Sequence, residues 1–202
     1  MCPFCYIGKR HFENALAQFS RADELEIEWK SFQLDPSLPK MKERVDVYEY
    51  LAKSKGFSIQ DSKEMHDNVV KMAKNVGLEY NFDRAVIANS FDAHRLIQFA
   101  KTKGKGNEIE EVLFAAYFTN GLDMSNLDTL IEIGSSIGLS PLELETILHS
   151  EDFSNEVHND SIEAQRFGVR GVPYFVLDNK YAISGAQPSS VFLEALEKAF
   201  IS

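Results

Sequence analysis

Cysteine is nearly missing from this chain, with two in 202 residues. A framework of structural disulfides is thereby excluded, because disulfide-stapled domains spread several pairs along the sequence. Basic charge is scarce as well: 21 Lys and Arg stand against 31 Asp and Glu, for a net charge of −10. The lysines are interspersed with carboxylates, so no basic stripe exists to hold a phosphate backbone, which argues against a nucleic-acid partner. No apolar run approaches the ~20 residues that cross a bilayer, and no charged-then-apolar leader with a cleavage site opens the sequence. The expectation is a cytoplasmic protein with no membrane association. Metal-ligand spacing is lacking too. The five histidines are scattered without a His-x₃₋₅-His pair, so the four ligands of a structural zinc site are not at hand and no metal is expected.

What is present is placed tellingly. Cys2-Pro3-Phe4-Cys5 precedes an amphipathic run in which Phe12, Ala15, Leu16 and Phe19 recur at the spacing of one helix face. The pair therefore falls on the first turn of a predicted helix, where residues i and i+3 are neighbours and a disulfide can close. The helix end supplies unpaired N–H groups and a partial positive charge. A thiolate at Cys2 gains from both, as cysteines at such sites titrate at about 3.5–7.5 instead of about 8.5. Inert core thiols and a static disulfide are the alternatives. A reducing compartment disfavours the static bond, and the reading preferred for such a pair is an active dithiol.

At 44% hydrophobic residues the chain can bury a good core in one domain carrying a large insertion. Leu25, Ile27 and Trp29 alternate with Glu24, Glu26 and Glu28, the period of a half-buried strand. From Val45 to about His149 the segments have helical period, and Gly56, Gly77, Gly104, Gly121 and Gly138 each follow an amphipathic run as a helix stop. Ser140-Pro141-Leu142-Glu143 reads as an N-cap, a first-turn proline and a capping-box glutamate. These helices are expected to be scaffold, since core packing explains their apolar stripes. Further on, two β-rich runs flank Asp178-Asn179, a hairpin whose first strand opens at Pro173. Pro188 then begins a last helix with Phe192, Leu193, Leu196 and Phe200 on one face. The division expected is 1–39 and 151–202 as two parts of one α/β unit, with 40–150 as an all-helical insertion.

The block Cys2 to Lys9, the Phe32-Gln33-Leu34-Asp35-Pro36 exit, Asn89-Ser90-Phe91-Asp92-Ala93-His94-Arg95-Leu96, Val169-Arg170-Gly171-Val172-Pro173 and Ser184-Gly185-Ala186-Gln187-Pro188 occur in order. Together they resemble the FrnE branch of the DsbA-like thioredoxin-fold oxidoreductases, across nearly the whole chain. The resemblance implies a thioredoxin-like α/β fold with a helical insertion. It also implies a thiol-disulfide oxidoreductase in which Cys2 is the nucleophile and Cys5 the resolving cysteine, acting on a protein or small-molecule thiol or disulfide. It implies a cis bond at Val172-Pro173 facing the dithiol, with Val172 offering backbone hydrogen bonds to substrate beside Pro3 and Phe4. Asn89, His94 and Gln187 are further candidates for lining the substrate groove, although caps or a core histidine explain them as readily. His11 lies about 13 Å along the helix from Cys2 and is expected at the surface. No tightly bound cofactor is implied, with glutathione a candidate co-substrate.

Two other function classes stay open. The same group of folds includes glutathione-dependent isomerases and kappa-type transferases, which use a serine in place of the first cysteine. The third class is a non-catalytic binding or chaperone-like module. The departure from the family is at the front, where only Met1 precedes Cys2 although related chains carry a central strand there. The sheet is then expected to be incomplete or completed from outside, with a homodimer as one means.

Overall fold

Pro3 at the first helical position lacks an N–H where none is needed, and the apolar stripe behind it forms α1 (Pro3–Leu16) in the computed structural model, which describes residues 1–39 and 45–201. After a single 3₁₀ turn at Ala22–Glu24, which Leu25 leaves in extended conformation, the chain continues through Trp29 outside any helix or strand. The helical series follows: α2 (Val47–Lys55), α3 (Ile59–Asn75), α4 (Phe91–Thr102), α5 (Gly106–Phe118), α6 (Leu127–Ser136), α7 (Pro141–Leu148) and α8 (Ser154–Arg166). The hairpin β1 (Tyr174–Leu177) and β2 (Tyr181–Ser184) and a last helix α9 (Ser189–Ile201) complete the order.

The helix ends are where local chemistry places them. Asp46 accepts hydrogen bonds from the Tyr48 and Glu49 amides to start α2, and Gly56 closes it in the left-handed conformation at φ 73°. Ser140 caps α7 by accepting from the Glu143 amide, with Pro141 behind it as expected. Asp178 and Asn179 both take positive φ in the hairpin turn, and the Lys180 amide donates to the Leu177 carbonyl.

Two apolar clusters share α1 as a common wall. The larger joins Tyr6 and Ile7 to the helical insertion through Phe114, Phe118, Leu96 and Leu113. The smaller holds Ala15 with Ile183 and Phe192, supported by Phe12 and Phe175 from α1 and β1. Full burial of side chains such as Phe118 and Phe192 contributes about 1.5–3 kcal/mol each. α8 packs along α4, and its Asp160 reaches back to accept from the Ser31 amide and the Gln98 side chain, at 2.7 and 2.6 Å. That buried knot ties the segment after Trp29 to the insertion.

The architecture is a thioredoxin-like fold, mostly helical with a small sheet, and one expected element differs. The segment 25–29 joins no ladder, and the sheet of the described residues has two strands, β1 and β2, antiparallel with Tyr174 opposite Ser184. A strand is defined by its neighbour, and alternation alone cannot supply one. A cleft of about 1650 Å³ opens here, and Leu25, Ile27 and Trp29 line it together with Phe175 and Val176 of β1. Ile27, expected on the half-buried face, is accordingly 48% exposed.

Candidate active site

Cys2 is the N-cap residue of α1, with extended backbone at φ −94° and ψ 117° and no side-chain cap, and Pro3 opens the helix behind it. Its sulfur therefore stands over the first turn, where the Phe4 and Cys5 amides point outward. Both cysteines are free and half-buried. The interaction of Cys2 with the neighbouring Cys5 thiol, helped by the amides of Cys5 and Phe4 and by the amino terminus, outweighs burial and lowers Cys2 to about 7. Cys5 is pushed well above the ordinary thiol range by the same interaction, by burial, and by the charges of Cys2 and Glu110. One thiol is thus ready to ionise near neutral pH and the other holds its proton.

Across the gap, the Val172–Pro173 peptide is cis. The Val172 carbonyl lies 3.4 Å from the Cys2 sulfur and accepts its hydrogen bond. What lets the loop come so near is Gly8: a Cβ there would sit 3.0 Å from Pro173 Cγ. Pro3, Phe4, Val172 and Pro173 all line the cleft that opens on the dithiol.

The insertion supplies more of the site than scaffold. Tyr80, from the loop after α3, donates to the Pro3 carbonyl at 2.7 Å, and Phe114 of α5 stacks on Tyr6 with ring centroids 5.0 Å apart. Beside that stack Glu111 accepts from Tyr6, Lys9 and Arg10. Burial would raise its carboxyl, but these donors hold it down at about 2. Glu110, the next residue along, is buried on the cleft side, and burial pushes it up to about 7 against the charges of Lys9 and Lys101. Neither Tyr80 nor Glu110 is apparent in a reading of the sequence for motifs. The one signal for Glu110 is a carboxylate interrupting the apolar positions of the run Ile109 to Tyr117.

The remaining candidates separate. His94 does line the cleft, with its Nδ1 buried and unpartnered, and burial together with the nearby amino terminus lowers it to about 4. Asn89 lies off the cleft, donating to the Leu38 carbonyl and accepting from the Phe91 amide at 2.9 Å ahead of α4. Gln187 is exposed and bonds the Ser184 carbonyl at 2.9 Å, bracing the exit of the hairpin. His11 is half-buried and lies 3.5 Å from the Ser189 hydroxyl. Among the described residues no cluster of three or more His, Cys, Asp and Glu is arranged to hold a metal ion, and no helix is long and apolar enough to cross a membrane.

Comparison with known proteins finds the same fold. A probable DsbA oxidoreductase from Streptomyces coelicolor is 34% identical and superposes with a TM-score of 0.93, covering 100% of this chain and 86% of that one. The cytosolic disulfide reductase DsbM from Pseudomonas aeruginosa, solved alone and with glutathione, shares the fold at 15% identity and a TM-score of 0.67, over 100% of this chain and 95% of that one. A 2-hydroxychromene-2-carboxylate isomerase shares it at 17% identity and 0.64, over 98% and 89%. The DSBA-like thioredoxin domain matches residues 1–197, and with the cysteine pair at the head of α1 set against a cis-proline loop, the chain belongs to that family.

Proposed function

We propose that this protein is a thiol-disulfide oxidoreductase whose Cys2 exchanges with substrate and whose Cys5 resolves the mixed disulfide. The observation that carries the reading is the pair of unequal thiols at the start of α1, Cys2 lowered and Cys5 raised, with the Val172 carbonyl 3.4 Å from the Cys2 sulfur. In the reducing direction, the Cys2 thiolate attacks one sulfur of a substrate disulfide. The substrate S–S bond breaks, one substrate thiolate leaves, and a Cys2–substrate disulfide forms. Cys5 then loses its proton and attacks the Cys2 sulfur, closing the Cys2–Cys5 disulfide and expelling the second substrate thiolate. The oxidising direction runs through the same bonds in reverse. Substrate lying in the cleft meets Pro3, Phe4, Val172 and Pro173, with the Val172 backbone offering strand-like hydrogen bonds.

A second cysteine one helical turn from the nucleophile favours this reading over a glutathione-dependent isomerase or transferase, which has no use for a dithiol cycle. It equally favours catalysis over a purely binding module. In the same reading the protein acts in the cytoplasm with no tightly bound cofactor, and glutathione is a co-substrate that recycles the pair. The test is trapping. Cys2→Ser should abolish exchange with a model disulfide, and Cys5→Ser should accumulate a Cys2–substrate adduct visible by mass spectrometry. In the wild type, alkylation should modify Cys2 first, half-maximally near pH 7. Modification of Cys5 first, or exchange that survives Cys2→Ser, refutes the assignment.

A further inference from the structure

Tyr80 comes from the loop after α3 and is buried. Its ring stacks on Phe118 of α5 with centroids 4.6 Å apart and meets Phe82 edge-on at 5.6 Å, which fixes where its hydroxyl points. That hydroxyl donates to the Pro3 carbonyl at 2.7 Å. In an α-helix this carbonyl also takes the amide four residues on, so the phenol is a second donor on an oxygen that helix geometry already satisfies. The same peptide unit ends in the Phe4 amide. At the head of α1 the Cys5 amide donates to the Cys2 carbonyl at 3.1 Å, whereas the Phe4 amide has no acceptor among the described residues. The neutral Cys2 thiol caps neither amide and instead donates to the Val172 carbonyl. Loss of its proton to solvent leaves the sulfur an acceptor alone, and the unengaged Phe4 amide is the donor at hand.

We propose that Tyr80 is a positioning residue for the Cys2 thiolate: by donating to the Pro3 carbonyl, it polarises the Pro3–Phe4 peptide and makes the Phe4 amide a stronger donor to the ionised sulfur. This deepens the dithiol reading above and rests on it. Hydrogen bonds at the two ends of one peptide group strengthen each other, by about 10–30% per bond. The gain is largest where the acceptor is charged, so the thiolate is favoured over the thiol. Tyr80 itself remains a donor throughout, because burial, with the charges of Tyr6, Cys2 and Cys5, holds its phenol well above the ordinary range. The other ionisable groups around the head of α1 are Arg10 on the same helix, the Met1 amine, His94 of α4 and Glu110 of α5. Removal of one phenolic oxygen leaves all of them in place, so a difference between the two proteins isolates the relay.

Tyr80→Phe keeps the ring and its stacks and removes the donor. Followed against pH by iodoacetamide alkylation and mass spectrometry, the Cys2 midpoint should rise by about half a unit from about 7. The labelling rate at about pH 6 should fall roughly threefold. At high pH the two proteins should converge, since the sulfur is then fully ionised in both, and Cys2 should still react before Cys5. Loosening of the helix start would instead speed labelling at every pH and bring Cys5 in, and that outcome overturns the proposal, as does an unmoved midpoint. A fluorinated tyrosine at position 80 is a stronger donor of nearly the same shape and should lower the midpoint. It also decides the matter should the phenylalanine variant not fold, an unmoved midpoint again overturning the proposal. These outcomes leave the dithiol reading intact, whereas a wild-type protein in which Cys5 reacts first removes both.

Discussion

Phe4 sits between the two cysteines, 38% exposed, at a position where an imidazole would place a second positive charge beside the Cys2 thiolate. With a phenyl ring there, Cys2 depends on the Cys5 thiol, two amides and the amino terminus, and stops at about 7. That is the acidity of the thioredoxin nucleophile, far from the ~3.5 of the strong periplasmic oxidant. The reduced form is stabilised correspondingly less. Equilibration with glutathione should give a potential more negative than about −120 mV, nearer the thioredoxin value of about −270 mV, with each ~30 mV equal to about 1.4 kcal/mol. A value at or above the upper figure means that some other group stabilises the thiolate. Phe4→His should then move the couple toward more oxidising potentials, and an unshifted potential would detach the imidazole from the effect.

At the scale of elements, α1 and the loop before β1 are joined through one missing side chain. Gly8→Ala gains about 1 kcal/mol in helix propensity but places a methyl 3.0 Å from Pro173 Cγ and 3.5 Å from Phe175 Cζ, overpacking that costs about 1–3 kcal/mol. The expected outcome is a stability equal to the wild type or lower by up to about 2 kcal/mol, together with severalfold slower disulfide exchange, because the Val172 carbonyl is pushed from Cys2. Unchanged kinetics would show that the loop yields without consequence. This contact also marks how far the site was legible in the sequence. The Cys-x-x-Cys at a helix start, the glycine stops and the hairpin turn are local, and periodicity and capping chemistry announce them. Val172 and Pro173 came from resemblance alone, for nothing in their own neighbourhood points to residues 170 positions away. Tyr80, His94 and Glu110 enter the site from helices whose stripes read as scaffold, because a helix face says that it is buried and not what it is buried against. Leu25, Ile27 and Trp29 alternate as a strand must, yet remain unpaired for want of a neighbouring strand.

For the whole molecule, that open cleft is the dominant feature. Among the described residues 25–29 joins no ladder and β1 pairs only with β2, and both segments line the cleft; unpaired edges invite pairing. An apolar, β-forming segment fused ahead of Met1 and long enough to enter the cleft should contribute about 2 kcal/mol or more through new ladder hydrogen bonds. For a chain of this size the melting temperature should rise by about 4–8 °C, and the exchange rate should rise with it. If those edges also pair between copies, light scattering should show the fused form to be less associated. A monomer whose stability ignores the added segment would refute both expectations. A different consequence follows from α1 being the wall shared by both apolar clusters. A local opening that frees α1 must dismantle two cores at once, so its central amides should exchange hydrogen only on global unfolding. Alkylation that modifies Cys2 and Cys5 at equal rates then counts the unfolded molecules, and the protein's own thiols become a clock for its loss of structure.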